Sequence, residues 1–219
     1  MLHTFFEYYK EIPPEEITQE QIRKYLYYLV THKDVTGAYQ RQVISAVKFY
    51  YEQVLGITLQ PMNVQRPKKA KKLPVVLSEK EVATLLAQVT NLKHQCILFT
   101  IYAAGLRRSE VLHLKLTDID SERNCIVVRS AKGNKDRNTL LSKKLLEKLR
   151  AYYKIYKPKE YLFEGVTGGQ YSVTSLRKIF KKALHRSGIQ KKAHLHTLRH
   201  SFATHLLERG TDIRYIQAL

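Results

Sequence analysis

Between residues 61 and 74 the chain holds three prolines and five lysine or arginine residues. Proline lacks a backbone N–H and clashes with the preceding turn, so this segment cannot continue a helix. Its like charges repel one another and favour an extended backbone. We therefore predict a basic linker over residues 59–77. It would separate an N-terminal domain, residues 1–58, from a larger domain, residues 78–219.

The N-terminal domain has helical periodicity throughout. A capping box at Thr18–Gln21 begins one helix, and apolar residues follow it at helical spacing from residue 22 onward. A later helix is predicted from about residue 38 to residue 55, with Val54 facing inward and Gly56 ending it. Residues 5–10 resemble the last turns of an earlier helix. The domain is therefore predicted to be all-helical.

The larger domain also begins with a capping box, at Ser78–Glu81. Strands are predicted at residues 125–129 and 139–141, because a basic segment with a Gly-Asn turn lies between them. The fold class is therefore mainly α with a small antiparallel β-sheet (α+β). The predicted helices cover about residues 79–88, 92–104, a short stretch to 114, 142–154, 172–187, and a His196-bearing helix that runs to Gly210.

The C-terminal segment has a helix start without a helix end. Thr211–Asp212 is a good N-cap, and Ile213, Ile216 and Leu219 are spaced to face inward on a helix. No C-cap follows. We interpret this as a helix cut off before its end; the alternative is a short terminal helix that docks and frays.

The charge balance indicates a polyanionic partner. The chain has 38 Lys and Arg against 19 Asp and Glu, a formal net charge of +19. This excess is spread over many segments, which favours nucleic acid over a membrane surface. The alternative is a merely soluble basic protein.

The same composition indicates a cytoplasmic, nucleoid-associated protein. Cys96 and Cys125 lie in apolar contexts with no close partner and are interpreted as reduced thiols. No apolar run is long enough for a transmembrane helix, and the N-terminus has no secretory signal pattern.

Two segments supply candidate cations for binding an oxyanion. Arg107 follows a helix stop and precedes a helix start, close to free backbone N–H groups, and Glu110 is placed to hold it. Arg108 competes for the role, and the sequence favours neither. Lys132 lies at the hairpin tip, where a flexible ammonium can protonate a leaving oxygen. Lys135 and Arg137 are the other candidates for this role. The alternative is that all three residues only keep the edge of the sheet soluble.

A third segment places two imidazoles and a guanidinium on one helical face. His196, Arg199 and His200 are spaced i, i+3 and i+4. A histidine suits general acid–base work, and the arginine supplies a second bidentate donor. The alternatives are a structural histidine, or a zinc site completed by His194 or His205. No Cys pair or His-Glu-x-x-His pattern accompanies them, and no carboxylate cluster could hold Mg²⁺. We therefore predict no metal and no cofactor.

Other basic residues are predicted to contact DNA outside the chemical site. One group lies in the linker, one at the hairpin, and one on the basic face of the helix over residues 172–187. The alternatives are a solvated tether and a solvated helix face. The residues are Lys68, Lys69, Lys71, Lys72, Lys135, Arg137, Arg177, Lys178, Lys181 and Lys182.

Three motifs together resemble the tyrosine site-specific recombinases, and most closely the Xer and phage or transposon integrase group. They are Gly-Leu-Arg-Arg-Ser-Glu from Gly105, Lys-Gly-Asn-Lys-Asp-Arg from Lys132, and His-Thr-Leu-Arg-His-Ser-Phe-Ala-Thr-His from His196. The resemblance covers the larger domain and, less sharply, residues 15–56, which are similar to the helical core-binding domain of the family. It implies a two-domain clamp on double-stranded DNA, with copies of the protein assembling on the DNA.

The family cuts one DNA strand with a tyrosine and forms a 3′-phosphotyrosine link. The resemblance implies that Arg107 and Arg199 hold the non-bridging oxygens, that Lys132 protonates the leaving 5′-oxygen and that His196 is the base. Glu110 and His200 would support them. The sequence around Tyr215 does not match that of the family's nucleophile. None of the other tyrosines of this sequence matches it either. We therefore expect this chain to bind DNA without cleaving it in cis. A non-catalytic DNA-binding remnant or regulator and a metal nuclease are the alternatives.

Overall fold

The computed structural model describes residues 1–62, 73–129 and 136–219. The chain divides into two compact units, Met1–Lys72 and Leu73–Leu219, each with its own buried apolar cluster. The described part is mostly helical with one small antiparallel sheet, which confirms the predicted fold class. None of its helices is long and apolar enough to cross a lipid bilayer.

In residues 1–62, the described part of the N-terminal unit, all regular elements are helical, as predicted. Thr18 and Gln21 form the expected capping box, and Phe5, Ile22 and Leu26 are fully buried in its core. A hydrogen bond of 2.6 Å from the Tyr51 hydroxyl to the carbonyl of Pro14 ties its last turn to its 3₁₀ helix. Its elements are α1 (Leu2–Tyr8), a 3₁₀ helix (Pro14–Glu16), α2 (Gln19–Thr31), α3 (Gly37–Phe49) and a π-helical turn (Tyr50–Val54).

The end of α3 differs from the prediction of a helix that runs to Leu55. The amide of Leu55 bonds to the carbonyl of Tyr50, five residues back, so the last turn is π-helical. This wider turn shifts the inward face by one position. Tyr51 is therefore buried, whereas Val54, predicted to face inward, is 61% exposed.

The C-terminal unit is built around one buried helix. Its helices are α4 (Glu79–Ala87), α5 (Leu92–Ala103), α6 (Arg108–His113), α7 (Lys143–Tyr156), α8 (Val173–Arg186), α9 (Leu195–Glu208) and α10 (Ile213–Ala218). Helix α5 packs against α4, α6, α7, α8 and α9. Its residues Cys96, Ile97, Leu98 and Ile101 are buried, so it is apolar on nearly every side, as expected of a central helix.

Within the described residues the sheet has three strands, whereas the sequence predicted two. Strands β1 (Ile119–Asp120), β2 (Cys125–Val128) and β3 (Arg137–Leu140) pair antiparallel in that order, after a 3₁₀ turn at Leu116–Asp118. The prediction missed β1, because two residues carry no readable alternation. Strand β3 begins at Arg137, two residues earlier than predicted, where it pairs with Val128.

Helix α10 begins where the sequence predicts it. The carboxylate of Asp212 accepts a hydrogen bond of 2.7 Å from the amide of Arg214. Leu219 is buried, but Ile213 is 56% exposed, so the expected inward face is only partly buried.

Candidate functional site

The site is built around the turn between α5 and α6. Gly105 has a φ of +61°, a left-handed conformation that L residues with side chains disfavour. Arg107 is the N-cap residue of α6, and its amide donates a 2.7 Å hydrogen bond to a carboxylate oxygen of Glu110. Thr139 of β3 contacts the same turn, since its hydroxyl donates to the carbonyl of Ala104 at 2.7 Å. The turn that carries Arg107 is therefore held by one hydrogen bond before Gly105 and one after it.

Glu110 is a buried carboxylate shared by several arginines. Its side chain is 7% exposed, and its Oε1 accepts from Nη1 of Arg107 at 2.6 Å. Its Oε2 accepts from Nη2 of Arg137 at 2.8 Å, and Nη1 of Arg199 lies 4.0 Å from the same oxygen. Burial alone would raise the pKa of Glu110. The hydrogen bonds from Arg107 and the charge of Arg137 outweigh burial and hold the pKa below its usual range.

Arg199 reaches this cluster from α9. Its guanidinium donates to the carbonyl of Gly105, and its side chain is 21% exposed. The close approach of α9 depends on Gly105, because a Cβ there would lie 2.3 Å from the ring of Phe202. Burial and the nearby guanidiniums of Arg107 and Arg137 lower the pKa of Arg199. An anion bound here would relieve that repulsion.

Two histidines stand beside Arg199 on α9. The rings of His196 and His200 are in edge contact, with centroids 4.4 Å apart at an interplanar angle of 74°. Partial desolvation lowers the pKa of His196, and the charges that His200, Arg199 and Arg107 carry lower it further. The His196 ring is exposed and is held neutral at pH 7, so it can accept a proton from a group in solution.

The structure brings together Arg107, Glu110 and Arg199, as the sequence predicts for the chemical site. His196 and His200 share the helix that carries Arg199. Lys132 and Lys135 lie outside the described residues. The four predicted linker contacts, Lys68, Lys69, Lys71 and Lys72, also lie outside them.

Arg137 is the clearest difference from the sequence-based expectation. We predicted it as a DNA contact at the hairpin tip, but its side chain is 14% exposed and ion-paired to Glu110. The alternation of strand β3 explains this, because Arg137 and the buried Thr139 point to the same face. That alternation was the sequence signal that could have found it.

The basic face of α8 is exposed. Leu176, Phe180 and Ala183 are buried on the other side of the helix. Within the described part of the chain, the cationic residues of this face form no ion pair. They are Arg177, Lys178, Lys181 and Lys182.

The histidines do not group as a metal site would require. Among residues 1–62, 73–129 and 136–219, no three His, Cys, Asp or Glu side chains lie close enough to hold a metal ion. His205, a candidate zinc ligand, is buried, and its Nδ1 forms a hydrogen bond of 2.9 Å with the hydroxyl of Tyr102.

Comparison with known proteins identifies the family. Residues 75–219 match the phage integrase family, and residues 1–60 match the N-terminal SAM-like domain of phage integrases. This chain belongs to the phage integrase family. The resemblance to tyrosine recombinases is thereby confirmed.

Several relatives of this integrase-family chain are recombinases by name. The putative integrase/recombinase y4qK of Sinorhizobium fredii is 44% identical over 94% of this chain and 68% of its own length. The tyrosine recombinase XerA of Pyrococcus horikoshii is 39% identical over 81% of this chain and 62% of its own length. A tyrosine recombinase of Thermosipho africanus is 33% identical, over 85% and 70% respectively.

Solved structures share the fold of this family member. The XerA recombinase crystal structure is 30% identical, with a TM-score of 0.62 over 99% of this chain and 78% of that one. The XerH site-specific recombinase, bound to its difH substrate before cleavage, has a TM-score of 0.73 over 99% of this chain and 68% of that one. At 22% identity, the XerH likeness shows the fold alone.

Proposed function

We propose that this chain binds double-stranded DNA and belongs to a site-specific recombination reaction that cuts and rejoins strands through a 3′-phosphotyrosine. One observation carries the proposal. Two arginines from different helices, Arg107 and Arg199, flank one buried carboxylate beside a neutral, exposed histidine. Such a site neutralises the charge that develops on a phosphate in its transition state.

The roles proposed for Arg107, Glu110, His196 and Arg199 rest on their charges and positions, and the role of Lys132, which lies outside the described residues, rests on the resemblance to the family. Arg107 and Arg199 bind the non-bridging oxygens of the scissile phosphate, and Glu110 holds Arg107. The tyrosine oxygen attacks phosphorus and gives its proton to His196. The bond from phosphorus to the 5′-oxygen breaks, and Lys132 protonates that oxygen. Guanidinium groups supply the electrostatic stabilisation, so no step of this proposal uses a metal ion or cofactor.

The nucleophile is not assigned to any of the 15 tyrosines of the sequence. We accordingly propose that the 219-residue chain binds DNA and holds the scissile phosphate without cleaving in cis. Residues 1–58 would form a helical core-binding domain and residues 78–219 the catalytic domain, joined by a basic linker.

Charge supports DNA as the partner. The chain carries +19 overall, and the exposed cations of α8 have no ion-pair partner among the residues that the structure describes. Solved relatives of the same fold include the XerH complex with difH and a lambda integrase dimer bound to a core site. We propose that copies of this chain likewise assemble on DNA, in the nucleoid.

The test selects bound duplexes from a randomised DNA pool and then measures their affinity and any covalent adduct on a denaturing gel. We expect binding that weakens steeply with salt, persists in EDTA and yields no adduct. Replacing Arg107 or Arg199 by Gln should weaken binding of the selected duplex about tenfold.

The matched control is Arg123→Gln, which removes an exposed arginine from the β1–β2 turn. It should leave affinity nearly unchanged. A chain that selects no duplex would contradict the proposed function. An adduct would support the reaction and contradict the absence of a nucleophile.

A further inference from the structure

Arg137 donates a hydrogen bond to the Glu110 oxygen that is also nearest to Arg199. Oε1 of Glu110 accepts from Arg107, and Oε2 accepts both the amide of Arg107 and Nη2 of Arg137. Nη1 of Arg199 lies 4.0 Å from that same Oε2, beyond hydrogen-bond distance. Arg137 therefore occupies a position on Glu110 that Arg199 lies within about one ångström of reaching.

The burial of the partners makes this competition strong. Glu110 is 7% exposed and Arg137 is 14% exposed, so little water screens them. If an ionised, buried carboxylate loses one donor, pairing with another donor lowers the free energy, because an unpaired buried charge is strongly destabilising. Among the residues that the structure describes, the other cation within 4.0 Å of Glu110 is Arg199, which also bonds to the carbonyl of Gly105.

We propose that Arg137 is a positioning residue that saturates Glu110 and thereby leaves Arg199 free to bind the scissile phosphate. This inference rests on the proposed function and adds a third guanidinium to its site. Arg137 acts through Glu110 and touches no substrate. The charges also balance: three guanidiniums and one carboxylate leave two positive charges, which match a phosphodiester as it gains a second negative charge in the transition state.

The burial of the Arg137 guanidinium also supports a role inside the site rather than a contact with DNA. Nη1 of Arg137 is buried and has no hydrogen-bond partner among the described residues. A guanidinium placed to contact the DNA backbone would instead expose its donors. The buried position therefore favours an effect on neighbouring side chains over a contact with solvent-exposed phosphates.

The test compares Arg137→Gln, Arg137→Lys and the double variant Glu110→Gln/Arg137→Gln in the full chain. The probe is inorganic orthovanadate, an oxyanion that mimics the reacting phosphate, and its affinity is measured by calorimetry at neutral pH. In parallel, the salt dependence of binding to a short duplex is measured. Circular dichroism establishes that each variant is folded.

We expect Arg137→Gln to weaken orthovanadate binding about tenfold, since Arg199 turns to Glu110. The double variant should recover part of the affinity, because the uncharged amide that replaces the Glu110 carboxylate no longer attracts Arg199 but keeps an oxygen that can accept from Arg107. The lysine variant should fall between wild type and Arg137→Gln. The salt slope for duplex DNA should fall by about 0.9 in Arg137→Gln, because Arg199 leaves its phosphate, and it should return toward the wild-type value in the double variant.

Three outcomes would overturn the inference. One is orthovanadate affinity in Arg137→Gln equal to that of wild type. Another is a double variant that binds no better than Arg137→Gln, which would make Arg137 a direct anion contact. The third is a salt slope that stays lowered by about 0.9 in the double variant, which would make Arg137 itself a DNA contact. A wild-type chain that binds neither DNA nor orthovanadate would instead contradict the proposed function.

Discussion

Gly105 controls the site although it carries no functional group. Its φ of +61° suits glycine, and the ring of Phe202 occupies the space that a Cβ would need. Gly105 thus allows the turn that positions Arg107 and the close approach of α9. Its carbonyl also accepts a hydrogen bond from Arg199.

Replacing Gly105 by Ala should destabilise the protein by about 3 kcal/mol, the sum of backbone strain and a clash with a buried ring. It should also weaken orthovanadate binding, since α9 must move away. Urea unfolding measures the first effect and calorimetry the second.

Gly188→Ala is the matched control. Gly188 has a φ of +69°, but no atom lies within 4 Å of the place that a Cβ would occupy, so only the strain of about 1 kcal/mol applies. Equal losses in the two variants would show that the contact with Phe202 does not matter.

At the scale of elements, α9 is the helix on which the site depends. Ser201 joins α9 to the segment that precedes α4: its hydroxyl accepts from the amide of Leu77 at 2.9 Å and donates to the carbonyl of Thr197 within α9. Phe202 packs on Gly105 and His205 bonds to Tyr102. These contacts fix the rotation of α9, and that rotation aims Arg199 and His196.

Replacing Ser201 by Ala should cost about 2 kcal/mol in unfolding free energy, because the buried amide of Leu77 loses its acceptor. Ser187→Ala is the control. It removes a hydroxyl that donates to the carbonyl of Leu184 and leaves no buried amide unpaired, so its effect should stay within about 0.5 kcal/mol. Chemical denaturation compares the two, and similar losses would contradict the role given to Ser201.

The elements themselves were largely predictable. The capping boxes at residues 18–21 and 78–81 are local signals, and both begin helices where expected. The π-helical turn after α3 and strand β1 were not predicted. Each is defined by backbone hydrogen bonding that no residue pattern in the sequence predicts. The π-helical turn has a bond from the amide of Leu55 to the carbonyl of Tyr50, and β1 is defined by the pairing of Ile119 with Ile126.

At the scale of the whole molecule, the chain has two separate cores. Phe5, Ile22 and Leu26 belong to one, and Leu98 and Ile101 to the other. No residue belongs to both clusters as the described part of the chain defines them. Each unit should therefore lose stability independently when its own core is damaged.

We expect Ile22→Ala to lower amide-exchange protection in residues 1–62 and to leave the protection of α5 intact. A buried isoleucine-to-alanine change costs about 3 kcal/mol, enough to be seen locally. Leu98→Ala should do the reverse, and each variant serves as the control for the other. Loss of protection in both units from either change would show one cooperative fold.

The sequence by itself determined the fold class, the family and most of the chemical groups. Helix starts and apolar spacing depend on residues close together in the chain. The three motifs contain Arg107, Glu110, His196 and Arg199. Only the tertiary structure decided how these groups combine. Glu110 pairs with Arg107 at the N-terminus of α6 and with Arg137 of β3, whereas Arg199 of α9 lies 4.0 Å away. Distances between segments far apart in the chain depend on packing, and local sequence signals extend over only a few residues.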